Sequence, residues 1–141
     1  MLSIINKSGF TLEYATKDSA GFDIYAIENS IISAGQCALI RTDLYLDTSN
    51  CCIDANDNFR EELQIRGKSG LANKGIFAHF GTVDSDYPGE IKVILYNTLP
   101  NDWMVLRGAK IAQGVFSVVR RDASVTVKDE QRIGGFGSTT T

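Results

Sequence analysis

The sequence predicts an all-β barrel or sandwich built around a single core. Apolar and polar residues follow the period of strands, turn signals recur at short intervals, and the composition is that of a folded domain. With 141 residues, 43% of them apolar and 22% charged, the chain differs from disordered, collagen-like and coiled-coil proteins. Its length lies near the commonest size of one domain, so we expect one core.

Two kinds of strand are predicted. Residues Glu62–Arg66 and Ser124–Lys128 alternate between apolar and polar side chains, which is typical of strands with one face in water. Residues Ile91–Tyr96 and Ile111–Val119 carry apolar or small groups at both parities, as expected where both faces are covered. Turn signals separate the strand segments at residues 33–35, 49–50, 54–58, 87–90 and 100–102.

A short helix is predicted from Ser69 to Lys74, with the Ser69 hydroxyl capping its first turn. The preceding letters, Gly67-Lys68-Ser69, resemble part of a P-loop, but Glu62 stands where that motif needs another glycine. Backbone N–H groups, an ammonium and a hydroxyl are nevertheless donors that phosphate oxygens accept. The segment is therefore either a phosphate-binding turn or an ordinary capped turn.

Several classes of partner and site are not expected. The formal charge is 14 − 17 = −3 without a Lys/Arg run, which argues against nucleic acid. No apolar run approaches the roughly 18 residues of a membrane helix, and the first residues lack a signal-peptide centre, so we expect a cytoplasmic protein, or one in the host cytoplasm if it is viral. Three cysteines, Cys37, Cys51 and Cys52, with His79 as the one histidine, predict neither a disulfide framework nor a zinc site.

The segment 81–90 holds a second candidate site. Pro88 and Gly89 suit the central positions of a type II turn, which predicts a hairpin tip. Asp84 and Asp86 have the same strand parity, so their carboxylates are either a coupled pair near a hydrated metal or two solvated groups.

The C-terminal tail is rich in glycine and hydroxyl side chains. Gly134, Gly135 and Gly137 permit a backbone that wraps an anion, and Phe136 offers a single stacking face. The tail is therefore either a frayed end or an arm that closes over a flat ligand.

Taken in order, five segments resemble the five motifs of the trimeric deoxyuridine triphosphatases (dUTPases). They are AGFDI from Ala20, GKSGLA from Gly67, GTVDSDYPGE from Gly81, KIAQ from Lys110 and RIGGFGST from Arg132. The resemblance implies a compact, jelly-roll-like β-barrel with one short helix over residues 1–131. It also implies a flexible arm, residues 132–141, that closes a neighbouring subunit's active site in a homotrimer.

The resemblance also implies a reaction, hydrolysis of dUTP to dUMP and pyrophosphate, and a set of catalytic residues. Asp84 would deprotonate the water that attacks the α-phosphorus, with Asp23 and Gln113 as further catalytic residues. Tyr87 would pack on the deoxyribose and disfavour a 2′-hydroxyl, and Phe136 would stack on uracil. The implied substrate-binding residues are Lys68, Ser69, Gly70, Val83, Tyr87, Lys110, Arg132, Phe136, Gly137, Ser138 and Thr139. The implied cofactor is Mg²⁺, held by the triphosphate and water near Asp23 without a direct protein ligand.

Three features depart from the family pattern. Lys68 and Lys110 stand where the family usually has arginine, and lysine cannot form a two-pronged clamp. Arg66 compensates only if its strand continues far enough, and Arg132 lies one residue nearer to the glycines than is usual. The loop over residues 47–60 is long and has no assigned function.

Two other functions are also compatible with some of these observations. A deoxycytidine triphosphate deaminase has the same barrel, but the segment after Ser69 lacks the arginine-bearing pattern of that branch. The other rival is a trimeric signalling module that uses dUTP as an ordering ligand, with a regulatory protein partner of unknown identity on the tail and the 47–60 loop.

Overall fold

The computed structural model describes residues 1–50 and 58–128, and for Asn50 only the backbone. These residues form a short α-helix, α1 at Ser69–Asn73, a 3₁₀ turn at Thr48–Asn50, and ten β-strands. The strands are β1 Ser3–Asn6, β2 Phe22–Tyr25, β3 Ser30–Ile32, β4 Cys37–Asp47, β5 Phe59–Arg66, β6 Ile76–Ala78, β7 Gly81–Asp84, β8 Ile91–Asn97, β9 Trp103–Val105 and β10 Lys110–Arg120. The all-β prediction is confirmed.

The strands form two four-stranded sheets and one ribbon, and every pairing is antiparallel. The first sheet has the order β1-β4-β8-β6 and the second has the order β2-β10-β5-β7. Strands β3 and β9 form the ribbon. Because neighbours in each sheet are far apart in sequence, the register of the sheets brings distant motifs together.

A single core lies between the two sheets, as predicted. The first sheet contributes inward residues of β4, β6 and β8, and the second contributes inward residues of β2, β5 and β10. The largest fully buried apolar side chains are Ile24, Ile32, Ile40, Leu44, Leu63, Ile76, Ile91, Val93, Leu95 and Ile111. Their burial follows the strand period of two, which puts alternate residues on the core face.

The strand predictions have mixed outcomes. Strand β5 contains the predicted Glu62–Arg66 segment and buries Leu63 and Ile65. Strand β8 was expected to be covered on both faces, but its burial alternates and Tyr96 is 42% exposed. The first half of β10 is covered on both faces, since the consecutive residues Ile111 and Ala112 are both buried.

The strand predicted at Ser124–Lys128 is wrong. These residues lie after β10 and form no strand, and Val125 and Val127 are 70% and 52% exposed. Alternation alone does not make a strand, because the backbone N–H and C=O groups need a neighbouring strand. The described part of the chain supplies none for this segment.

Other expectations concern cysteines, membranes and domain limits. Cys37 is free and exposed, whereas Cys51 and Cys52 lie outside the described residues. Within residues 1–50 and 58–128, no helix has the length and apolar character needed to cross a membrane. The predicted arm, residues 132–141, also lies outside the described residues.

Candidate active site

Strand register brings the first, second and fourth motifs together at one end of the second sheet. Asp23 of β2 lies opposite Gln113 of β10, and Gln113 lies opposite Arg66 at the end of β5. Residues paired across antiparallel strands project to the same face, so these three side chains share a face. Lys110 begins β10, and Lys68 follows the end of β5.

Two lysines converge on one carboxylate here. The Lys68 Nζ binds Asp23 Oδ1, and the Lys110 Nζ lies 3.6 Å from Asp23 Oδ2. Asp23 is 8% exposed, whereas the Lys68 and Lys110 side chains are 32% and 55% exposed. One carboxylate against two ammonium groups leaves a surplus of one positive charge, which suits an anionic ligand.

Gln113 is held against the turn that precedes α1. Its Nε2 donates a hydrogen bond to the carbonyl oxygen of Gly67 at 3.0 Å. Gly21 leaves room for it, because a Cβ at Gly21 would lie only 2.6 Å from Gln113 Oε1. We call Asp23, Lys68, Lys110 and Gln113 the Asp23 cluster.

Ser69 and Gly70 begin the helix but do not cap it as predicted. Lys68 occupies the N-cap position, and no side-chain cap hydrogen bond is present there. Ser69 is exposed, and a Cβ at Gly70 would meet no atom within 4 Å. The hydroxyl and the backbone at this turn therefore face open space beside the Asp23 cluster.

Arg66 does not join the Asp23 cluster. Its Nε donates to Gln64 Oε1 at 3.0 Å, and its Nη2 binds the same oxygen. Strand β5 ends at Arg66, so strict alternation does not extend to Lys68. The suggested replacement of the usual arginine by Arg66 has no support among the described contacts.

The third motif forms a crossing between sheets and not a hairpin. Strand β7 pairs with β5 in the second sheet, whereas β8 pairs with β4 and β6 in the first. The turn closes at Asp84, whose carbonyl accepts the Tyr87 N–H at 3.0 Å. Gly89 does not have the positive φ of a type II turn, so both the turn and the hairpin predictions are wrong. We call residues 84–90 the Tyr87 loop.

Tyr87 is enclosed within its own loop. The residue is 9% exposed, and its hydroxyl donates to the Glu90 carbonyl oxygen at 3.0 Å. Its ring lies so close to Gly89 that a Cβ there would be 2.6 Å from the hydroxyl oxygen. Asp84 and Asp86 are exposed, and the Val83 side chain packs against the core. The Val83 side chain is therefore directed into the core and not toward a ligand.

The two parts of the predicted site do not meet within one chain. Asp84 lies opposite Glu62 on β5, whereas Gln113 lies opposite Arg66. Four residues along a strand separate Glu62 from Arg66, a distance of about 13 Å at the usual rise of a β-strand. The structure thus groups Asp23, Lys68, Lys110 and Gln113, and it places Asp84 with Tyr87 elsewhere. The tail residues Arg132, Phe136, Gly137, Ser138 and Thr139 lie outside the described residues.

Sequence reasoning missed the residues that hold the Tyr87 loop. The Glu90 carboxylate accepts hydrogen bonds from Arg41 Nε at 3.2 and 3.3 Å and from the Asp43 N–H at 3.0 Å. The hydrogen bond and charge of Glu90 raise the pKa of Arg41 above its ordinary value. Glu90 belongs to the third motif, but nothing in the sequence pairs it with β4.

The described residues offer no ready-made metal cage. Among residues 1–50 and 58–128, no group of three His, Cys, Asp or Glu side chains is placed to hold a metal ion. The Asp23 carboxylate is already engaged by Lys68 and Lys110.

Comparison with known proteins decides the family. The sequence model of the dUTPase family matches residues 8–140, nearly the whole chain. The chain belongs to the dUTPase family. It is 37% identical over 142 residues to the deoxyuridine 5'-triphosphate nucleotidohydrolase of Nautilia profundicola, covering 96% of this chain and 94% of that protein. The protein of the same name from Rickettsia felis is 41% identical over 143 residues, covering 95% and 90%.

Solved structures agree on the fold. A mutant dUTPase from phage phi11 of S. aureus matches with a TM-score of 0.74 at 17% identity, covering 92% of this chain and 98% of that one. That structure concerns the coordination of a structural Mg(II) ion. The jelly-roll-like β fold is confirmed by such neighbours. Family membership makes the protein an enzyme that hydrolyses dUTP, and the deaminase alternative gains no support.

Proposed function

We propose that this dUTPase releases dUMP and pyrophosphate by water attack on the α-phosphorus, in active sites shared between the subunits of a homotrimer. The observation that carries the proposal is the separation of Asp84 from the Asp23 cluster. Within one chain, Asp84 lies opposite Glu62 and Gln113 lies opposite Arg66, and these two β5 residues are about 13 Å apart along the strand. A second copy that presents its Tyr87 loop to the Asp23 cluster completes the set.

The Asp23 cluster would bind the phosphates. It carries a surplus positive charge and lies beside the exposed Ser69 hydroxyl and the open backbone at Gly70. The Lys68 and Lys110 ammonium groups can turn from Asp23 toward phosphate oxygens, because both side chains are partly in solvent. Charge-assisted hydrogen bonds to phosphate are among the stronger ones available to a protein.

The Tyr87 loop would hold the nucleoside and supply the base. Asp84 is an exposed carboxylate at the end of β7, and a carboxylate near the α-phosphorus accepts the proton of the attacking water. The water oxygen bonds to the α-phosphorus, and the bond from that phosphorus to the bridging oxygen breaks. Pyrophosphate leaves with the electron pair, while Asp84 holds the proton. Tyr87 would pack against the deoxyribose, and the Val83 main chain would face uracil.

A magnesium ion fits this arrangement when the nucleotide carries it. Mg²⁺ usually keeps several waters and binds substrate phosphates with one or two carboxylates, so a three-residue cage is not required. Asp23 would orient waters of the hydrated ion once a lysine turns to phosphate. Such an ion would neutralise phosphate charge and align the triphosphate for displacement.

We also propose that Arg132, Ser138 and Thr139 of a neighbouring subunit approach the distal phosphates and that Phe136 stacks on uracil. Gly137 would give the arm the backbone freedom to close. A cytoplasmic location suits an enzyme that removes dUTP from the nucleotide pool and supplies dUMP. The regulatory partner suggested for the 47–60 loop has no assigned surface, because residues 51–57 lie outside the described residues.

A nucleotide panel tests the proposed reaction. Wild type and Asp84→Asn are given dUTP, dCTP, dTTP or UTP with Mg²⁺, and pyrophosphate and ammonia are measured. We expect pyrophosphate from dUTP alone, with turnover lowered by about 100-fold or more in the variant. Ammonia from dCTP would move the protein to the deaminase branch, and dUTP binding without products would favour the signalling module.

Sedimentation tests the assembly separately. A mass of three chains at micromolar concentration is the expected result. A fully active monomer would contradict the shared site.

A further inference from the structure

A bulge in β4 reaches across to the start of β8. The register between β4 and β8 shifts between Arg41 and Leu44, and Asp43 within the bulge has a φ of 55°. This is the left-handed region, which aspartate adopts more readily than most residues. The bulge turns the Asp43 N–H away from an ordinary ladder position and toward Glu90.

Residues of the bulge contact the end of the Tyr87 loop and the first residue of β8. The Asp43 N–H donates to Glu90 Oε2 at 3.0 Å, and Arg41 Nε lies 3.2 Å from Glu90 Oε1. Thr42, which is fully buried, donates through its hydroxyl to the Ile91 carbonyl oxygen. The Glu90 side chain is only 12% exposed, so its carboxylate is largely withdrawn from water by these donors.

Glu90 then holds Tyr87 through its main chain. Its carbonyl oxygen accepts the Tyr87 hydroxyl hydrogen at 3.0 Å, across a glycine whose missing Cβ allows the ring to lie there. The side chain of Glu90 is anchored to β4 while its carbonyl is anchored to Tyr87. A shift of the Glu90 backbone would therefore move the acceptor of the tyrosine hydroxyl.

We infer that Arg41 and the Asp43 bulge are positioning elements that set the Tyr87 ring through Glu90, and thereby set the discrimination between deoxyribose and ribose. This inference rests on the proposed role of Tyr87 against the sugar. Neither Arg41 nor Glu90 touches substrate in this scheme. Arg41 lies on β4 of the first sheet and Glu90 at the end of the Tyr87 loop, and both act on how accurately the ring is placed.

The arrangement is better suited to positioning than to stability. Arg41 is 43% exposed, and exposed ion pairs contribute little to folding. A displaced group that contacts substrate, in contrast, binds that substrate less well, because it is no longer preorganised for the contact. The hydrogen bond and charge of Glu90 raise the pKa of Arg41, so the guanidinium keeps its charge beside Glu90.

The test compares Arg41→Ala, Glu90→Gln and Tyr87→Ala with wild type and with Arg120→Ala, a matched loss of an exposed arginine at the end of β10. The readouts are KM and kcat for dUTP and the inhibition constant of UTP as a competitor. The ratio of that constant to the KM for dUTP measures discrimination even if UTP is not hydrolysed.

We expect Arg41→Ala and Glu90→Gln to lower the ratio of the UTP inhibition constant to the KM for dUTP by about five- to tenfold, within the range of one ordinary lost hydrogen bond. Most of this change should appear in KM, with kcat little altered. Arg120→Ala should leave the ratio unchanged. Arg41→Lys restores charge but not the Nε geometry, so only partial recovery is expected. Asp43→Gly keeps the backbone N–H and suits the left-handed φ, so its ratio should stay near that of wild type.

The outcomes separate this inference from the proposed function. If wild type discriminates and Tyr87→Ala does not, while Arg41→Ala and Glu90→Gln behave as wild type, the positioning role is wrong and the sugar contact stands. If Tyr87→Ala discriminates as wild type does, the proposed sugar contact itself fails. Equal thermal unfolding midpoints for wild type and Arg41→Ala would show that a changed ratio does not come from a damaged fold.

Discussion

The Asp23 cluster and the Tyr87 loop are built in different ways. The Asp23 cluster arises from strand register, since β10 pairs with β2 and β5 and so brings Asp23 and Gln113 beside the end of β5, which Lys68 follows. The Tyr87 loop crosses between sheets and is held by side chains from β4. The pairing of strands fixes which side chains lie next to each other on a sheet. A loop needs additional contacts to hold one conformation.

The difference bears on which residues can be changed without loss. In the Asp23 cluster the ammonium groups are partly solvated and can move between Asp23 and a ligand. In the Tyr87 loop the ring is enclosed and has no comparable freedom. We therefore expect the Asp23 cluster to tolerate rearrangement of its side chains and the Tyr87 loop to depend on accurate placement of its ring.

The largest expected effect comes from mixing chains that are each defective in one of the two regions. Asp84→Asn should lower turnover by about 100-fold or more because it removes the proposed base. Gln113→Ala should lower turnover by about 100-fold because it removes a hydrogen-bonding amide from the proposed phosphate site. If one site takes Asp84 from one subunit and Gln113 from another, random mixing after joint refolding restores about a quarter of wild-type activity.

The control for this experiment is each variant refolded alone. Recovery only in the mixture supports shared sites. A mixture no more active than its components would mean that both regions serve the site within one chain.

A pair of glycine substitutions separates effects on core packing from effects on substrate binding. A Cβ at Gly114 would lie 2.9 Å from Phe22 Cε1 and closer still to Cζ, inside the core. We expect Gly114→Ala to lower the free energy of unfolding by about 1–3 kcal/mol, with KM unchanged for the folded fraction. Urea unfolding and steady-state kinetics measure the two quantities.

Gly21→Ala is the matched control, because its Cβ would meet the far end of the flexible Gln113 side chain at 2.6 Å. Gln113 can move, so the expected loss of stability is smaller, while the KM for dUTP rises by about threefold through the displaced amide. Equal losses of stability in Gly21→Ala and Gly114→Ala would show that the two glycines do not differ in what they accommodate.

The two lysines should differ in the same assay. Lys68 is the more buried and binds Asp23 directly, whereas Lys110 is 55% exposed at 3.6 Å. We expect Lys68→Met to raise the KM for dUTP by about tenfold and Lys110→Met by about threefold, since each contributes a charge-assisted contact of different burial. An equal rise in KM for both variants would indicate that both ammonium groups turn fully to phosphate, so that their different burial no longer matters.

Asp122 and Ser124 lie outside the Asp23 cluster and the Tyr87 loop, and a change there should have a smaller effect than the changes above. Hydrogen bonds from the Ser124 backbone and hydroxyl lower the pKa of Asp122. Because the folded pKa is below the unfolded one, this contribution to stability is present above about pH 4 and is lost as the pH falls through the folded pKa. Ser124→Ala should therefore be slightly less stable than wild type at pH 7, and the difference should vanish in strong acid.

Chemical unfolding of both proteins at pH 7 and near pH 3 measures this difference. Activity should be unchanged in the variant. A difference in stability that grows toward acid would show that the sign of the linkage is wrong.

Much of the site could be predicted because its motifs are local. The segments around Asp23, Lys68 and Lys110 were identified from residues a few positions apart, and three of the five motifs lie together in the fold. The turn at Pro88–Gly89 was predicted wrongly because the partner strands of β7 and β8 lie in different sheets. The residue preferences of a turn depend on four consecutive residues, whereas the sheet that a strand joins depends on strands far away in the sequence.

The all-β class could be predicted from alternation and turn residues, which are properties of neighbouring residues. The five motifs and their order could be identified because short segments of the sequence resemble those of the dUTPase family. In contrast, the folded chain was needed to show that Lys68 and Lys110 share Asp23, and that Arg41 and Asp43 hold Glu90. Such contacts join residues 45 to 87 positions apart, and they exist only after register and a bulge have set which side chains face each other.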